Sequence, residues 1–451
     1  VLLMLVIKLL IRFPLAGAAV LVIVLLFGAG LSRGGGDWES VSKSMHAETA
    51  TAAPARPALG QITARDPDFS PVLFEDFVFR LYAAAQTSRG VAGKLDELGP
   101  YLSAAARRAL AEREPTNQPV TGVVIGKMAV TRVHVPSAEE AGGDFKAFVK
   151  VGIQFEANYT VGSGAGSRQF VIEDWLLRRE AGVRSKPPDP ARRFACPNCG
   201  APWHGDTAAG TQKCASCGSV VDNGRFDWQV EEIKARRESA TIPGLDADVP
   251  EQGTSLPTVV DQGFAETWNA LMQADPAVTA ATIAARLEYV YRLLNDAWSK
   301  NDLTSARPVL SDGLADYLQY WINAYDSSKL RNALEDMRLT RHELVKLSRD
   351  RFYDALTIRI WATGKDYVVR TDRSDGAIVR GSKDTDRDYS EYWTLIRSSA
   401  RRGAPRVDAE CGSCGAALTV NMAGECEHCG SHVTAGEFDW VLSKIEQDEA
   451  Y

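Results

Sequence analysis

No cysteine in this chain stands outside a C-x-x-C pair, since all eight fall into four such pairs. A Ser-His-Asp order, an H-E-x-x-H helix and a Gly-rich phosphate loop are all missing, which removes the usual signatures of hydrolase, metalloprotease and nucleotide sites. Basic residues are not in excess. With 51 Lys and Arg against 58 Asp and Glu, the net charge of -7 argues against a dedicated nucleic-acid binder. Nor is the chain poor in apolar residues: 45% apolar and 24% charged excludes a mostly disordered protein, and 451 residues allow about three domains.

The cysteines form two sets, Cys196, Cys199, Cys214 and Cys217, then Cys411, Cys414, Cys426 and Cys429, and a glycine follows every pair. A two-residue gap lets one tight turn present two sulfurs to one ion, and zinc takes four thiolates in a tetrahedron. The glycine lets the backbone fold back beneath the metal. Loops of 14 and 11 residues between the pairs suit a short hairpin, so the spacing predicts two zinc ribbons, each holding one structural ion. Such sites are closed, which implies no catalytic water. Two disulfide clusters are the alternative, and they require an oxidising compartment. His204, His428 and His432 lie near the cysteines, but four thiolates already complete each set, so all three are expected to be exposed bystanders.

From Phe13 to Leu31 the chain runs 19 residues without a charge, the length of one transmembrane helix. A cleaved signal peptide fits less well, because the run is long and Gly28-Ala29-Gly30 is a poor cleavage site. Lys8 and Arg12 ahead of the span place the N-terminus inside and the body outside, whereas the thiols favour the reducing, cytoplasmic face of the membrane. Residues 32–65 read as a flexible tether and 238–263 as a second linker, both rich in Gly, Pro and small polar residues.

Between these breaks the chain reads as an α+β duplication, with modules at 66–186 and 264–400 and ribbons at 187–237 and 401–451. Asp66-Pro67 opens the first module, and Ser70-Pro71 predicts a helix start. Leu73, Phe74, Phe77, Val78, Leu81 and Ala85 recur at helical spacing, and a second helix is expected from Pro100 to about Glu112. Val149 to Tyr159 then alternate with polar residues, predicting a strand with one dry and one wet face, flanked by strands near Met128–Val135 and Gln169–Arg178. The second module repeats the order from Asp275-Pro276: a helix face of Leu287, Tyr291, Leu294 and Trp298, a later helix through Leu314, Tyr317, Leu318 and Trp321, and a strand through Leu356, Ile358 and Ile360. Trp175 and Trp393 stand at equivalent places, and Phe-Asp-Trp recurs after each ribbon at 226–228 and 438–440. The aromatics of that tripeptide are expected to pack ribbon on module, with the Asp capping a helix that follows.

The segments Phe77-Val78-Phe79-Arg80-Leu81-Tyr82 through Leu98-Gly99-Pro100-Tyr101-Leu102-Ser103, and Tyr289-Val290-Tyr291-Arg292-Leu293-Leu294 through Pro308-Val309-Leu310-Ser311, resemble the Tim44-like domain family. That family takes its name from the mitochondrial inner-membrane translocase subunit that anchors the import motor, and it includes membrane-tethered bacterial proteins. The resemblance implies a cone-shaped fold similar to nuclear transport factor two, a long helix across a curved antiparallel sheet, and association with lipids and protein partners. The zinc ribbons depart from the mitochondrial pattern, so an import-motor role does not carry over.

Glu173, Asp174 and Asp354 are the carboxylates that an enzyme of such a fold would need in its pocket, with Asp174 assigned by alternation to the face of Ile172 and Leu176. Rim carboxylates with salt-bridge partners are the simpler account. Basic residues gather ahead of each ribbon, and Arg178, Arg179, Arg192, Arg193, Arg401 and Arg402 are candidates for a surface meeting anionic lipid or an acidic partner. A solvated linker is the plainer account of them. The sequence therefore points to a membrane-anchored, non-enzymatic binding scaffold, and protein transport or assembly is the process the resemblance implies. A ribosome- or nucleic-acid-associated adaptor and a small-molecule enzyme are the alternatives.

Overall fold

Ser70 is the N-cap of α1 (Pro71–Arg89), its hydroxyl accepting from the Leu73 N–H at 3.3 Å, with Pro71 in the first turn as the sequence predicts. The structure, a computed structural model, describes residues 59–451 apart from 138–139, 141–146, 164–165, 189–193, 204–211, 240–252, 374, 422–423 and 449–450. The predicted span 13–31, most of the tether, and Arg192, Arg193 and His204 lie outside the described residues. Among the described residues no helix is long and apolar enough to cross a membrane.

Module 1 continues with α2 (Ala104–Ala111), β1 (Val120–His134), β2 (Phe148–Val161), β3 (Ser167–Glu180) and β4 (Gln229–Ser239). Module 2 consists of α3 (Phe264–Ala274), α4 (Ala280–Ser299), α5 (Asp312–Ser327), β5 (Leu330–Arg349), β6 (Tyr353–Arg370), the short β7 (Ile378–Gly381), β8 (Arg387–Ser398) and β9 (Val441–Gln447). The sheets are antiparallel, in the orders β1-β2-β3-β4 and β5-β6-β8-β9, with β7 beside β6. This is the expected α+β class, helices packed on one face of each sheet. Leu81, Tyr82 and Ala85 of α1 meet Phe155 and Trp175, and Leu287, Val290 and Tyr291 of α4 meet Ile358 and Trp393.

The ribbons are not tails. Each is inserted between the last two strands of a sheet, because β4 and β9 follow the ribbons in sequence and pair with β3 and β8. The boundaries at 237 and 451 are corrected accordingly: Gln229–Ser239 and Val441–Gln447 belong to the sheets. Glu232, Lys234 and Arg236 of β4 are exposed, the charged composition of an edge strand that resists pairing with another chain and hides the strand in a sequence. The helix expected from Pro100 starts at Ala104 instead. Residues 100–102 cross to the returning strand, where Val230 donates its N–H to the Tyr101 carbonyl at 2.8 Å and Ser103 donates to the Val230 carbonyl at 2.9 Å. Ser311 bonds the Leu442 carbonyl in the same way at 2.8 Å. Ser103 and Ser311 also cap α2 and α5, so the Leu-Ser pair joins helix to closing strand in both copies.

Three further expectations change. Tyr82 packs on Trp175 with ring centres 5.0 Å apart and Tyr291 on Trp393 at 5.7 Å, each sixteen residues after its Asp-Pro aspartate. The similar-looking stretches Phe77–Tyr82 and Tyr289–Leu294 are therefore three residues out of step, a shift that a helical apolar face tolerates. The polar face of β2 is not wet throughout, since Glu156 and Asn158 are buried beside Phe170 and Ile172. From Gly253 onward the expected linker lies on sheet 2: buried Arg359 donates to the carbonyls of Gly253 and Leu256 and to the Thr258 hydroxyl, and pairs with Asp448 at 2.9 Å.

Candidate metal centres

Each C-x-x-C-G unit closes on itself. The Gly200, Gly218, Gly415 and Gly430 N–H groups donate to the carbonyls of Cys196, Cys214, Cys411 and Cys426 at 2.8–2.9 Å. These four glycines have φ between 70° and 75°, the left-handed conformation that a side chain disfavours. The cysteine N–H groups in turn reach the carbonyls of Ala201, Ser219, Ala416 and Ser431. The turns bring Cys196, Cys199, Cys214 and Cys217 within 4.8 Å of one another, and likewise Cys411, Cys414, Cys426 and Cys429.

Closest sulfurs stand 3.9 Å apart, as in Cys196 to Cys217, Cys199 to Cys214 and Cys411 to Cys429. A tetrahedron with metal–sulfur bonds of about 2.3 Å has an edge of about 3.8 Å, whereas a disulfide needs about 2.05 Å. All eight thiols are free, so the geometry fits two four-thiolate metal sites rather than disulfide clusters. In each knuckle the first cysteine is buried and the second exposed. The N–H and hydroxyl of Ser219, with the Asn198 amide, draw the Cys217 thiol down to about 6, and the Ser431 hydroxyl and N–H do the same for Cys429. Burial pushes Cys196 up to about 12. A bound cation would hold that buried sulfur as thiolate.

The Phe-Asp-Trp tripeptides staple ribbon to module. Phe226 packs in the small ribbon core with Cys196, Cys214 and Val221, and Trp228 enters the core of module 1 against Phe69 and Phe74. Phe438 and Trp440 divide in the same way. A strand follows, not the expected helix, and Asp227 and Asp439 accept the N–H of the adjacent tryptophan at 2.8 and 2.7 Å. Trp228→Ala is expected to cost about 3–5 kcal/mol and to open ribbon 1 and β4 to protease while β2 stays protected. Retained protease resistance in ribbon 1 would count against the staple.

The candidate surface arginines have mixed fates. Arg179 is 2% exposed, pairs with Asp66 at 2.8 Å and lies over the Trp228 ring. It belongs to the interior. Arg397 is its counterpart, pairing with Asp275 at 2.9 Å and Asp354 at 3.0 Å beneath Trp440. Both arginines stand four residues after a strand tryptophan and both meet an Asp-Pro aspartate, a repeat that could have been read from the sequence. Arg178 is half-buried, paired with Glu231 at 2.9 Å and stacked on Phe148. Arg401 donates to the Phe438 carbonyl at 2.8 Å, while Arg402 is exposed and donates to the Ser399 carbonyl.

The carboxylates divide too. Asp174 points away from the helices and pairs with Arg236 and Gln154, so it is not on a pocket side. Glu173 is the buried one, accepting from Gln86 at 2.9 Å, from Trp175 Nε1 at 2.8 Å and from Arg113. Desolvation and the nearby Glu173 charge hold Tyr82 far above the ordinary phenol range. His428 is exposed as expected. His432 is no bystander: its Nε2 lies 3.1 Å from the Asp312 carboxylate, which also accepts from Thr434 at 2.7 Å and from Arg307 at 2.6 Å. Burial opposes that charge, but these hydrogen bonds prevail and hold Asp312 well below the usual carboxylate range. Sequence reading missed this cluster because its members lie 120 residues apart.

Residues 264–406 match the Tim44-like domain family, a span that begins at α3 and ends where the second ribbon begins. A solved structure titled "Ntf2 like protein involved in plasmid conjugation" aligns over 83% of this chain and 96% of its own, at 9% identity and a TM-score of 0.17, too slight to bear on fold or function. No curated protein matches the chain.

Proposed function

We propose that this chain is a membrane-anchored scaffold without catalytic chemistry, in which two Tim44-like modules, each stiffened by a ribbon holding one structural zinc ion, present a surface to a protein partner beside the membrane. The observation that carries the reading is the engagement of the buried carboxylates. Glu173 is surrounded by Gln86, Arg113 and Trp175, and Asp354 by Arg349 and Arg397, so each is bonded to its own fold and not turned toward a ligand. The Tyr82, Phe155 and Trp175 rings, with Tyr82 stacked on Phe155 and Trp175 edge-on to Phe155, pack between α1 and sheet 1. A recess of about 310 Å³ in module 1 is lined by Glu112, Arg113, Glu114 and Glu238, and Arg113 there is already bound to Glu173 and Glu238.

The interior placement of Arg179 and the pairing of Arg178 take two charges from the basic surface that anionic lipid or an acidic partner would meet, which leaves a partner that needs no such surface. Liposome flotation of the soluble body, residues 59–451, separates such a partner from lipid. Recovery that does not change with anionic lipid content is the expected result, and flotation that rises with it and falls with salt would move the reading to lipid. Proximity labelling from the C-terminus in intact membranes would then identify the neighbours and the side on which the body lies.

A further inference from the structure

The two modules meet along a joint built from unequal parts. Helix α5 has twice the length of its counterpart α2, and it is this helix that reaches module 1. A Cβ on Gly313 would lie 3.5 Å from the Phe79 ring of α1, and the Tyr320 ring lies against Gly122 of β1. Arg168 of β3 reaches Ser327 at the far end of α5 at 3.4 Å, and Lys444 of β9 pairs with Glu75 of α1. A separate part of the joint runs from the β5–β6 turn, where Asp350 accepts from Ser70 and Arg351 pairs with Asp68.

The apolar face of α5, with Leu314, Ala315, Leu318 and Ile322, packs in the core of module 2, and ribbon 2 grips its first turn. Asp312, in the first turn of α5, receives His432 and Thr434 from the stretch just past the last knuckle, and the Leu442 carbonyl fixes Ser311. The same ribbon leads into β9, which carries Lys444. Among the described residues, ribbon 1 makes no such contact with module 2. It docks on its own module through the Tyr101 hydroxyl to the Ala195 carbonyl at 2.7 Å and Trp203 Nε1 to the Asp96 carbonyl at 3.0 Å. At the position matching Asp312, α2 has Ala104.

We propose that metal in ribbon 2 sets the joint between the modules, whereas metal in ribbon 1 serves only its own module. Loss of the second ion frees Thr434 and His432 from Asp312 and loosens β9, so the α5 half of the joint opens while the Ser70–Asp350 half persists. The inference concerns how the chain is held together and does not depend on what it binds.

Hydrogen exchange on the full chain, with metal content measured on the same samples, tests it. Cys411→Ser with Cys426→Ser is expected to raise exchange in α5 and in β1 around Gly122 roughly tenfold. Cys196→Ser with Cys214→Ser is expected to leave those segments within about twofold of the parent. Equal loosening by both pairs, or none from the first, overturns the proposal. Because ligand loss could unfold module 2, a second variant keeps both ions: His432→Leu with Thr434→Val spares every thiolate and the Arg307–Asp312 pair. Raised exchange in the same two segments at full metal content is expected from it, and unchanged exchange there would overturn the proposal.

Discussion

Arg397→Met should cost about 3–5 kcal/mol in denaturant unfolding, because it removes the cation shared by two buried carboxylates and leaves Arg349 to Asp354 and the Gly403 N–H to Asp275. Asp275 and Asp354 are 4% and 0% exposed, and Arg397 bridges them at 2.9 and 3.0 Å. Its guanidinium also covers the Trp440 ring, so packing is lost along with charge. The matching change in module 1, Arg179→Met, should cost less. Asp66 keeps the Ser185 N–H at 2.9 Å and hydroxyl at 2.7 Å, and Arg184 is 3.6 Å away. The order of the two variants is the sensitive part of the test. If Arg179→Met proved the more damaging, the assignment of these arginines as paired interior struts would fail, since Arg397 bridges two buried carboxylates and Arg179 serves one.

Metal withdrawal should have the largest effect of all. Structural zinc in small thiolate sites contributes roughly 10–16 kcal/mol, and the ribbon cores are otherwise a few side chains, such as Val221, Trp203 and Phe226 or Val420, Val433 and Phe438. Two equivalents of metal should leave per chain on treatment with a strong chelator. Because each ribbon sits between two paired strands, amide protection should fall in β4 and β9 as well as in the ribbons, while β2 and β6 keep theirs. Less than one equivalent in the fully folded protein would remove the metal reading. Loss of metal with β4 and β9 still fully protected would instead show that strand pairing stands without it.

Much of this was legible along the chain because it is encoded locally. A C-x-x-C-G unit dictates its own turn through the sulfur spacing and the glycine φ, so the two four-cysteine groups that could hold a metal were legible before any fold was known. Ser70-Pro71, and the apolar faces of α1 and α4, follow from capping and from the 3.6-residue period. The strands after the ribbons were not legible. Among the described side chains of β4 only Gln229, Val230 and Ile233 are buried, and β5 carries scattered charges along an edge with three register shifts, so neither shows clean alternation. Sequence alternation also misplaced Asp174, because it says which residues share a face and not which face the helices cover.

By itself the sequence determined the four C-x-x-C-G turns and the helices that line each core, since every one of these depends on residues within a turn or two of each other. Only the tertiary structure decided that the ribbons lie inside the sheets, that Arg179 and Arg397 are interior, and that ribbon 2 but not ribbon 1 holds the helix of the joint. Those outcomes rest on partners such as Asp66 and Arg179, 113 residues apart, or His432 and Asp312, 120 apart. A charge is buried or exposed according to what packs over it, and at that separation only folding brings the covering group into place.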